Sequence, residues 1–211
     1  MEIPEQLLDG YRAFKSGRYI EEAARYQALA AGQSPHTMII ACADSRVDPA
    51  TIFAAGPGEL FVVRNVAAIV PPCEPDGRYH GTSAAIEFAV TGLGINRIVI
   101  LAHGQCGGIA AALAANERRP VGQFIGPWVD LLADVRDAVI ERIEPSQPLL
   151  RQKALERLAV QHSLDNLMTF PFVSEAVDAG RLTLHGAWFA ISDGKLHWLE
   201  RDTGVFVPVE V

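Results

Sequence analysis

Three short apolar runs in the first half of the chain predict β-strands. They cover residues 36–42, 59–64 and 97–102, and their central positions are all apolar. Continuous runs of this kind are typical of strands that are buried on both faces, as in a parallel sheet. We therefore expect all three to be buried strands of a mainly parallel sheet.

Helical spacing of apolar residues precedes, separates and follows these strands. Residues 4–31 show it with a break at Ser16-Gly17, which predicts an amphipathic N-terminal arm of two helices. Four further helices are predicted, at residues 82–93, from Gly107 onward, at 127–142 and at 148–170. Pro171 is expected to close the last of them.

Two β-rich runs near the C-terminus, at residues 182–191 and 195–199, are joined by Ser192-Asp193-Gly194, which is a hairpin signal. Strands that alternate with helices, without a long linker, predict one α/β domain. We expect a central, mainly parallel β-sheet flanked by helices, with an antiparallel edge hairpin. The arm covers residues 1–32 and the domain 33–211, and the arm packs on its own domain or on a partner subunit.

Composition narrows the possible partners. The chain has 211 residues, of which 49% are hydrophobic and 20% charged, and its net charge of −7 disfavours binding to nucleic acid. No apolar run approaches the ~18–20 residues that span a membrane. The first ten residues lack a basic segment, so no secretion signal is expected. Three cysteines are an odd, sparse count, which predicts free or metal-bound thiols and a cytoplasmic location.

Candidate metal ligands stand at the ends of two predicted strands. Cys42 ends the first strand, and His103 and Cys106 follow the third. Ligands of open α/β sheets bind at the carboxyl ends of strands, and two thiolates with an imidazole suit Zn²⁺ and leave one position open. The residues alone also allow the alternative that these side chains bind no metal, because a buried cysteine usually serves as a small hydrophobic residue. Cys73, in a proline-rich loop without a second ligand nearby, is predicted to be structural or incidental.

An aspartate and an arginine, Asp44 and Arg46, follow Cys42 closely in the sequence. Asp44 is close enough in sequence to Cys42 to reach a metal or its water, and Arg46 can hold that carboxylate through a two-pronged contact. Such a contact would lower the pKa of Asp44. An ordinary salt bridge within a turn is the alternative.

Two segments closely resemble the signature motifs of the β-class carbonic anhydrases. They are Cys42-Ala-Asp-Ser-Arg46 and His103-Gly-Gln-Cys-Gly-Gly108, and the similarity extends over residues 33–200. The resemblance implies one zinc ion per subunit, bound by Cys42, His103 and Cys106, with Asp44 and Arg46 as a catalytic dyad. The implied reaction is reversible hydration of CO₂ to bicarbonate and a proton by zinc-bound hydroxide.

The same resemblance implies where substrate binds and how subunits associate. Its substrate-binding positions correspond to Gln33, Phe61, Phe88 and Gly107. Phe88 replaces a tyrosine that is usual in the family, so a hydroxyl is missing there. Ile39 stands where one branch of the family has the tryptophan of a regulatory bicarbonate site, so we expect hyperbolic, non-allosteric kinetics. The family forms its active site at a dimer interface, which implies a homodimer or homotetramer with the N-terminal arm exchanged.

Other functions remain open at this point. The same zinc hydroxide could hydrolyse COS or CS₂, and a zinc protein without catalytic activity would belong to a different class altogether. Asp44 and Arg46 argue against the latter, since a non-catalytic protein has no need of the dyad. A redox function is weaker still, because the chain has no C-x-x-C motif.

Overall fold

A six-stranded β-sheet forms the centre of the computed structural model, which describes residues 3–75, 80–116 and 121–210. The strands are β1 (Thr37–Cys42), β2 (Leu60–Asn65), β3 (Arg97–His103), β4 (Thr183–Ala190), β5 (Lys195–Glu200) and β6 (Val205–Pro208). Their order is β2-β1-β3-β4-β5-β6, with the first four parallel and the last two antiparallel. The mainly parallel sheet and the antiparallel hairpin are therefore confirmed.

Helices precede the sheet and connect its strands. They are α1 (Glu5–Ser16), α2 (Arg18–Glu21), α3 (Ala23–Leu29), α4 (Pro49–Ile52), α5 (Gly81–Glu87), α6 (Gly107–Asn116), α7 (Ile125–Val129), α8 (Ala133–Arg142), α9 (Pro148–Leu167) and α10 (Pro171–Asp178). Short 3₁₀ turns cover Val66–Ala68 and Asp130–Leu132, and a π-helical turn covers Phe88–Gly92. Within the described ranges, no helix has the length and hydrophobicity needed to cross a bilayer.

Several predicted boundaries were wrong for local physical reasons. The arm breaks at Gly17 as expected, but a second break at Glu22 divides it into three helices. The segment 127–142 is interrupted by a 3₁₀ turn. Pro171 begins α10 rather than ending α9, because a proline at the first helical position lacks only an N–H that the helix does not use there.

The expectation of burial on both faces is confirmed for β1 and β3 and wrong for β2. Every residue of β1 after Thr37, and every residue of β3 after Arg97, is buried. None of the six residues of β2 is buried, and Val62 is exposed. The reason is its position, because β2 lies at one edge of the sheet and pairs only with β1.

The strand register brings two chain segments together at the carboxyl edge of the sheet. Ala41 of β1 pairs with Leu101 of β3, so Cys42 and His103 follow on adjacent strands. Met38 and Ile40 face one layer of the core, while Ile39 faces the other. Because β1 is packed on both faces, its carboxyl end is held in place from both sides of the sheet.

Close packing of β4 against α9 predicts a large effect of a single methyl group. A Cβ at Gly186 would lie 2.6 Å from Val160 Cγ1 and 3.0 Å from Leu199 Cδ2. We expect Gly186→Ala to reduce the free energy of unfolding by roughly 1–3 kcal/mol, measured by urea unfolding. Gly10→Ala in exposed α1, where a Cβ meets nothing within 4 Å, is the matched control and should stabilise by up to about 1 kcal/mol. Equal midpoints for the two variants would contradict the packing argument.

Candidate metal centre and active site

The three predicted ligands meet at the carboxyl edge of the sheet. Cys42 ends β1, His103 ends β3, and Cys106 immediately precedes α6. All three are buried, and one potential ligand atom from each lies within 4.8 Å of the others. The strand ends therefore bring together residues that are 61 and 64 positions apart, as the sequence pattern predicted.

The two thiols share a hydrogen bond that separates their protonation behaviour. Cys42 Sγ and Cys106 Sγ lie 3.8 Å apart. Hydrogen bonding from Cys106, opposed by burial, lowers the pKa of Cys42 below its ordinary value, and the same pairing raises the pKa of Cys106. Backbone N–H groups favour both thiolates, from Ala67 towards Cys42 and from Gly108 towards Cys106. A cation is needed to hold both sulfurs as thiolates at once.

The donor set fits a zinc ion. His103 Nε2 is buried and has no hydrogen-bond partner among the described residues, while Nδ1 lies 2.9 Å from the Gly104 carbonyl oxygen. A proton on Nδ1 donated to that carbonyl leaves the lone pair of Nε2 free for a metal. Two sulfurs and one imidazole nitrogen are ligands that Zn²⁺ prefers, and three protein ligands leave a fourth position for reacting groups.

Asp44 and Arg46 form the expected pair beside the ligands. Arg46 donates from Nε to Asp44 Oδ1 at 2.9 Å and from Nη2 to Oδ2 at 2.6 Å, and its backbone N–H also reaches Oδ1. These bonds hold the pKa of the Asp44 carboxyl well below its ordinary value. Asp44 Oδ2 lies 3.8 Å from His103 Nε2, so an ionised carboxylate faces the metal ligands.

Two further residues support the ligand segments, and the sequence analysis assigned neither of them a role. Arg64, at the end of β2, donates from Nε to the Cys42 carbonyl at 2.9 Å and from Nη2 to the Asp44 carbonyl. Glu156 of α9 accepts from the Cys106 N–H at 3.0 Å, and burial raises its pKa. Each had a signal in the sequence: Arg64 ends an apolar run, and Glu156 lies among the apolar positions of a predicted helix.

The predicted substrate-binding residues do not gather around the ligands of the same chain. Phe61 and Phe88 contact each other, with ring centroids 5.9 Å apart. Phe61 pairs with Met38, four residues before Cys42 along β1, which corresponds to roughly 13 Å along the strand. Gln33 is exposed in the segment that leads into β1. Of the four, only Gly107, which follows Cys106 directly, adjoins the metal ligands.

Cys73 is separate from the ligand cluster. It is half-buried in the loop before α5, and its backbone N–H donates to Thr169 Oγ1 at 2.8 Å. Among the described residues, the cluster of potential metal ligands consists of Cys42, His103 and Cys106 and does not include Cys73.

Two thiols and an imidazole beside a carboxylate–guanidinium pair, at the carboxyl edge of a parallel sheet, form an arrangement that is typical of catalytic zinc sites. The sequence model of the family described as carbonic anhydrase matches residues 37–196. The chain is 32% identical over 193 residues to β carbonic anhydrase 5, chloroplastic, of Arabidopsis thaliana. That alignment covers 91% of this chain and 63% of the relative, so the chain spans less than two thirds of the relative's length.

Solved structures agree with the sequence comparison. The β-carbonic anhydrase CcaA superposes with a TM-score of 0.90 at 28% identity, covering 98% of this chain and 92% of that one. A tetrameric β-carbonic anhydrase of Sordaria macrospora has a TM-score of 0.80 at 30% identity, covering 92% and 95%. The chain therefore belongs to the β-class of the carbonic anhydrase family, whose members are carbonate dehydratases that use zinc.

Proposed function

We propose that this protein catalyses the reversible hydration of CO₂ to bicarbonate and a proton. The observation that carries the proposal is the position of Asp44, whose Oδ2 lies 3.8 Å from a metal-ligand atom while Arg46 holds the carboxylate from the other side. A carboxylate in this position would accept a hydrogen bond from the attacking group. A site used only for structure has no need of that open position or of the oriented acceptor.

The chain's own residues divide the work between metal binding and orientation. Cys42, His103 and Cys106 would hold the zinc ion, which when bound lowers the pKa of a coordinated water towards neutrality and so supplies hydroxide at ordinary pH. Asp44 stays ionised and would accept a hydrogen bond from the attacking group. That hydrogen bond would direct the lone pair of the attacking oxygen towards the carbon of CO₂. Arg46 fixes the direction of Asp44 through two parallel N–H···O bonds.

The remaining substrate positions support a site completed by a partner subunit. Phe61 and Phe88 lie towards the amino end of β2, away from the ligands of their own chain, and Phe88 is 52% exposed. In a dimer such side chains can line the site of the other subunit, together with Gln33, while Gly107 serves its own site. The arm helix α1 has no buried residue and exposes Leu7 and Tyr11, which suits packing on a partner.

Assembly as a homodimer or homotetramer is therefore part of the proposal. The Sordaria macrospora relative described above is tetrameric. Analytical ultracentrifugation of the full chain and of a Leu7→Glu, Tyr11→Glu variant measures the association. A wild-type monomer with full activity would contradict the shared site.

A cytoplasmic location completes the proposal. It is supported by three free thiols, of which two belong to the ligand set and must stay reduced to bind metal. Cell fractionation of the tagged chain in its native host tests the location.

Stopped-flow CO₂ hydration with a pH indicator tests the activity. We expect the zinc-loaded protein to be active, a chelator to remove the activity, and added Zn²⁺ to restore it. Parallel assays of H₂S release from COS and CS₂ address the alternative hydrolase. Zinc-loaded protein that releases H₂S without hydrating CO₂ would favour that hydrolase, and zinc-loaded protein inactive on all three substrates would favour a non-catalytic function.

We expect kinetics without cooperativity, because a buried, apolar isoleucine stands where one branch of the family has the tryptophan of a regulatory bicarbonate site. Ile39 is 2% exposed and packs against the other buried residues of its face of the sheet, so it offers no donor to an anion. The initial rate should rise hyperbolically with CO₂ and show no steep activation between about pH 7 and pH 8.5. Sigmoidal activation over that range, accompanied by binding of Asp44 to the metal, would contradict the prediction.

A further inference from the structure

The proposed mechanism leaves one buried carboxylate without a role. Glu156 lies in α9, is 2% exposed, and is the buried acid among the polar residues of the described core. A carboxylate removed from water is costly unless hydrogen bonds replace its hydration. The groups that it contacts therefore indicate why it is there.

Both oxygens of Glu156 accept hydrogen bonds from fixed donors. Oε1 accepts from the backbone N–H of Cys106 at 3.0 Å, and Oε2 accepts from the indole Nε1 of Trp188 at 3.0 Å. Gln152, one turn earlier in α9, donates from Nε2 to the Cys106 carbonyl at 3.3 Å. Helix α9 thus holds both the N–H and the C=O of one metal ligand.

The segment that α9 holds is conformationally strained. Gln105, between the ligands His103 and Cys106, has a φ of 55°, in the left-handed region that residues other than glycine rarely adopt. Its carbonyl accepts from Arg46 Nη2 at 3.2 Å, on the side of the catalytic pair. Glu156 accepts from the Cys106 N–H, the other polar group of the same peptide unit, on the side of α9, so this peptide is held from two directions.

We propose that Glu156 is a positioning residue that holds Cys106 in the orientation needed for metal binding, with Trp188 as the second donor to its carboxylate. The inference rests on the proposed zinc-dependent function. Groups that orient metal ligands typically change metal affinity by about 10–100-fold when they are removed. The reaction itself does not use Glu156, whose effect passes through the position of the Cys106 sulfur.

Glutamine is the informative substitution because it keeps the shape of Glu156 but has a single acceptor oxygen. In Glu156→Gln one of the two N–H donors faces an NH₂ group, and one hydrogen bond is lost. Trp188→Phe removes the indole donor and leaves Cys106 as the one donor to satisfy. In the double variant E156Q/W188F, the side-chain oxygen of the new glutamine can therefore accept from the Cys106 N–H. The NH₂ group of that glutamine no longer faces the indole donor of Trp188.

Zinc release to a chromophoric chelator is the measurement, made on the zinc-loaded full chain. We expect E156Q to release zinc about 10–100-fold faster than wild type. W188F should release it within about threefold of wild type, and the double variant within a few fold of W188F. Glu141→Gln, at an exposed position of α8, is the matched control and should not differ from wild type.

Several outcomes would overturn the inference. Release from E156Q at the wild-type rate would show that Glu156 does not position the ligand. A double variant as fast as E156Q would show that loss of charge or packing, rather than the opposed donors, causes the effect. If E156Q fails to fold, the comparison of the double variant with W188F carries the test, and a double variant that also fails to fold contradicts the proposal.

The inference and the proposed function can fail separately. Wild-type protein that retains zinc but does not hydrate CO₂ would refute the function, while the pattern of zinc release among the variants would still test Glu156. Conversely, an active enzyme with unchanged zinc release in E156Q would refute only the role of Glu156.

Discussion

Cys42→Ser is expected to abolish zinc binding and to lower the rate of CO₂ hydration more than about a thousandfold. The hydroxyl of serine is a poor substitute for a thiolate, and two remaining ligands do not hold the ion. Without the metal, the pKa of the attacking water stays at its bulk value, far above neutrality, so hydroxide is scarce at neutral pH. Zinc content by elemental analysis and the rate by stopped-flow measure the two effects on the same sample.

Cys73→Ser is the matched control for that variant. Cys73 is the third free thiol of the chain and lies outside the ligand cluster. The control should retain one zinc per subunit and the wild-type rate. Loss of zinc from Cys73→Ser, or its retention in Cys42→Ser, would refute the assigned ligand set.

Asp44→Asn is expected to lower kcat/KM for CO₂ about a hundredfold or more while zinc stays bound. The amide keeps the size of the carboxylate but presents an NH₂ group to one of the two Arg46 donors, so the two-pronged contact is lost. The acceptor that directs the nucleophile then loses both its charge and its fixed orientation. Zinc content should be unchanged, because Asp44 is not one of the three ligands.

The loss in Asp44→Asn should be the same at every pH of the assay. Hydrogen bonds from Arg46 hold the pKa of Asp44 well below its ordinary value, so the carboxylate is ionised throughout the neutral range. Because the pKa of Asp44 is lowered in the folded protein, the Asp44–Arg46 contact stabilises the fold at every pH above the ordinary aspartate pKa of about 3.9. This stabilisation is lost as the pH falls below that value and through the pKa of the folded protein. A deficit that disappears between about pH 6 and pH 9 would contradict this assignment.

Asp48→Asn provides the matched control for the dyad. Asp48 begins α4 as its N-cap, accepting from the Thr51 N–H at 2.9 Å, and asparagine caps a helix about as well as aspartate. The control carries the same chemical change four residues from Asp44 and should keep nearly full activity. A loss comparable to that of Asp44→Asn would indicate a general effect of charge at this edge of the sheet.

The strained turns around the ligands explain why the site depends on distant elements. Ala67 and Ala68 share with Gln105 a positive φ, and Ala67 directs its N–H towards Cys42. Such conformations persist only where the surroundings hold them. Arg46 and Glu156 hold the peptide between Gln105 and Cys106, and Ser163 of α9 donates to the Ala68 carbonyl at 3.4 Å. Arg64 of β2 holds the Cys42 carbonyl, so the metal site depends on several elements along the sheet edge rather than on two motifs.

Local chemistry along the chain was enough to predict several parts of this protein. Continuous apolar runs predicted β1 and β3, and the residues at their ends predicted the ligand set. A single residue separates Asp44 from Cys42 on one side and from Arg46 on the other, so the Asp44–Arg46 contact was also predictable. These features depend on neighbours in the chain or on the general rule that parallel strands end at one edge.

Other features depend on which elements become neighbours in the folded chain, and these could not be predicted in advance. The edge position of β2, with its exposed face, follows from the strand order. The separation of Phe61 and Phe88 from the ligands of their own chain follows from the register of β2 on β1. The contact of Glu156 with Cys106 joins residues 50 positions apart through the packing of α9 on the sheet. No local pattern encodes such pairings, because they arise when distant apolar faces are buried together.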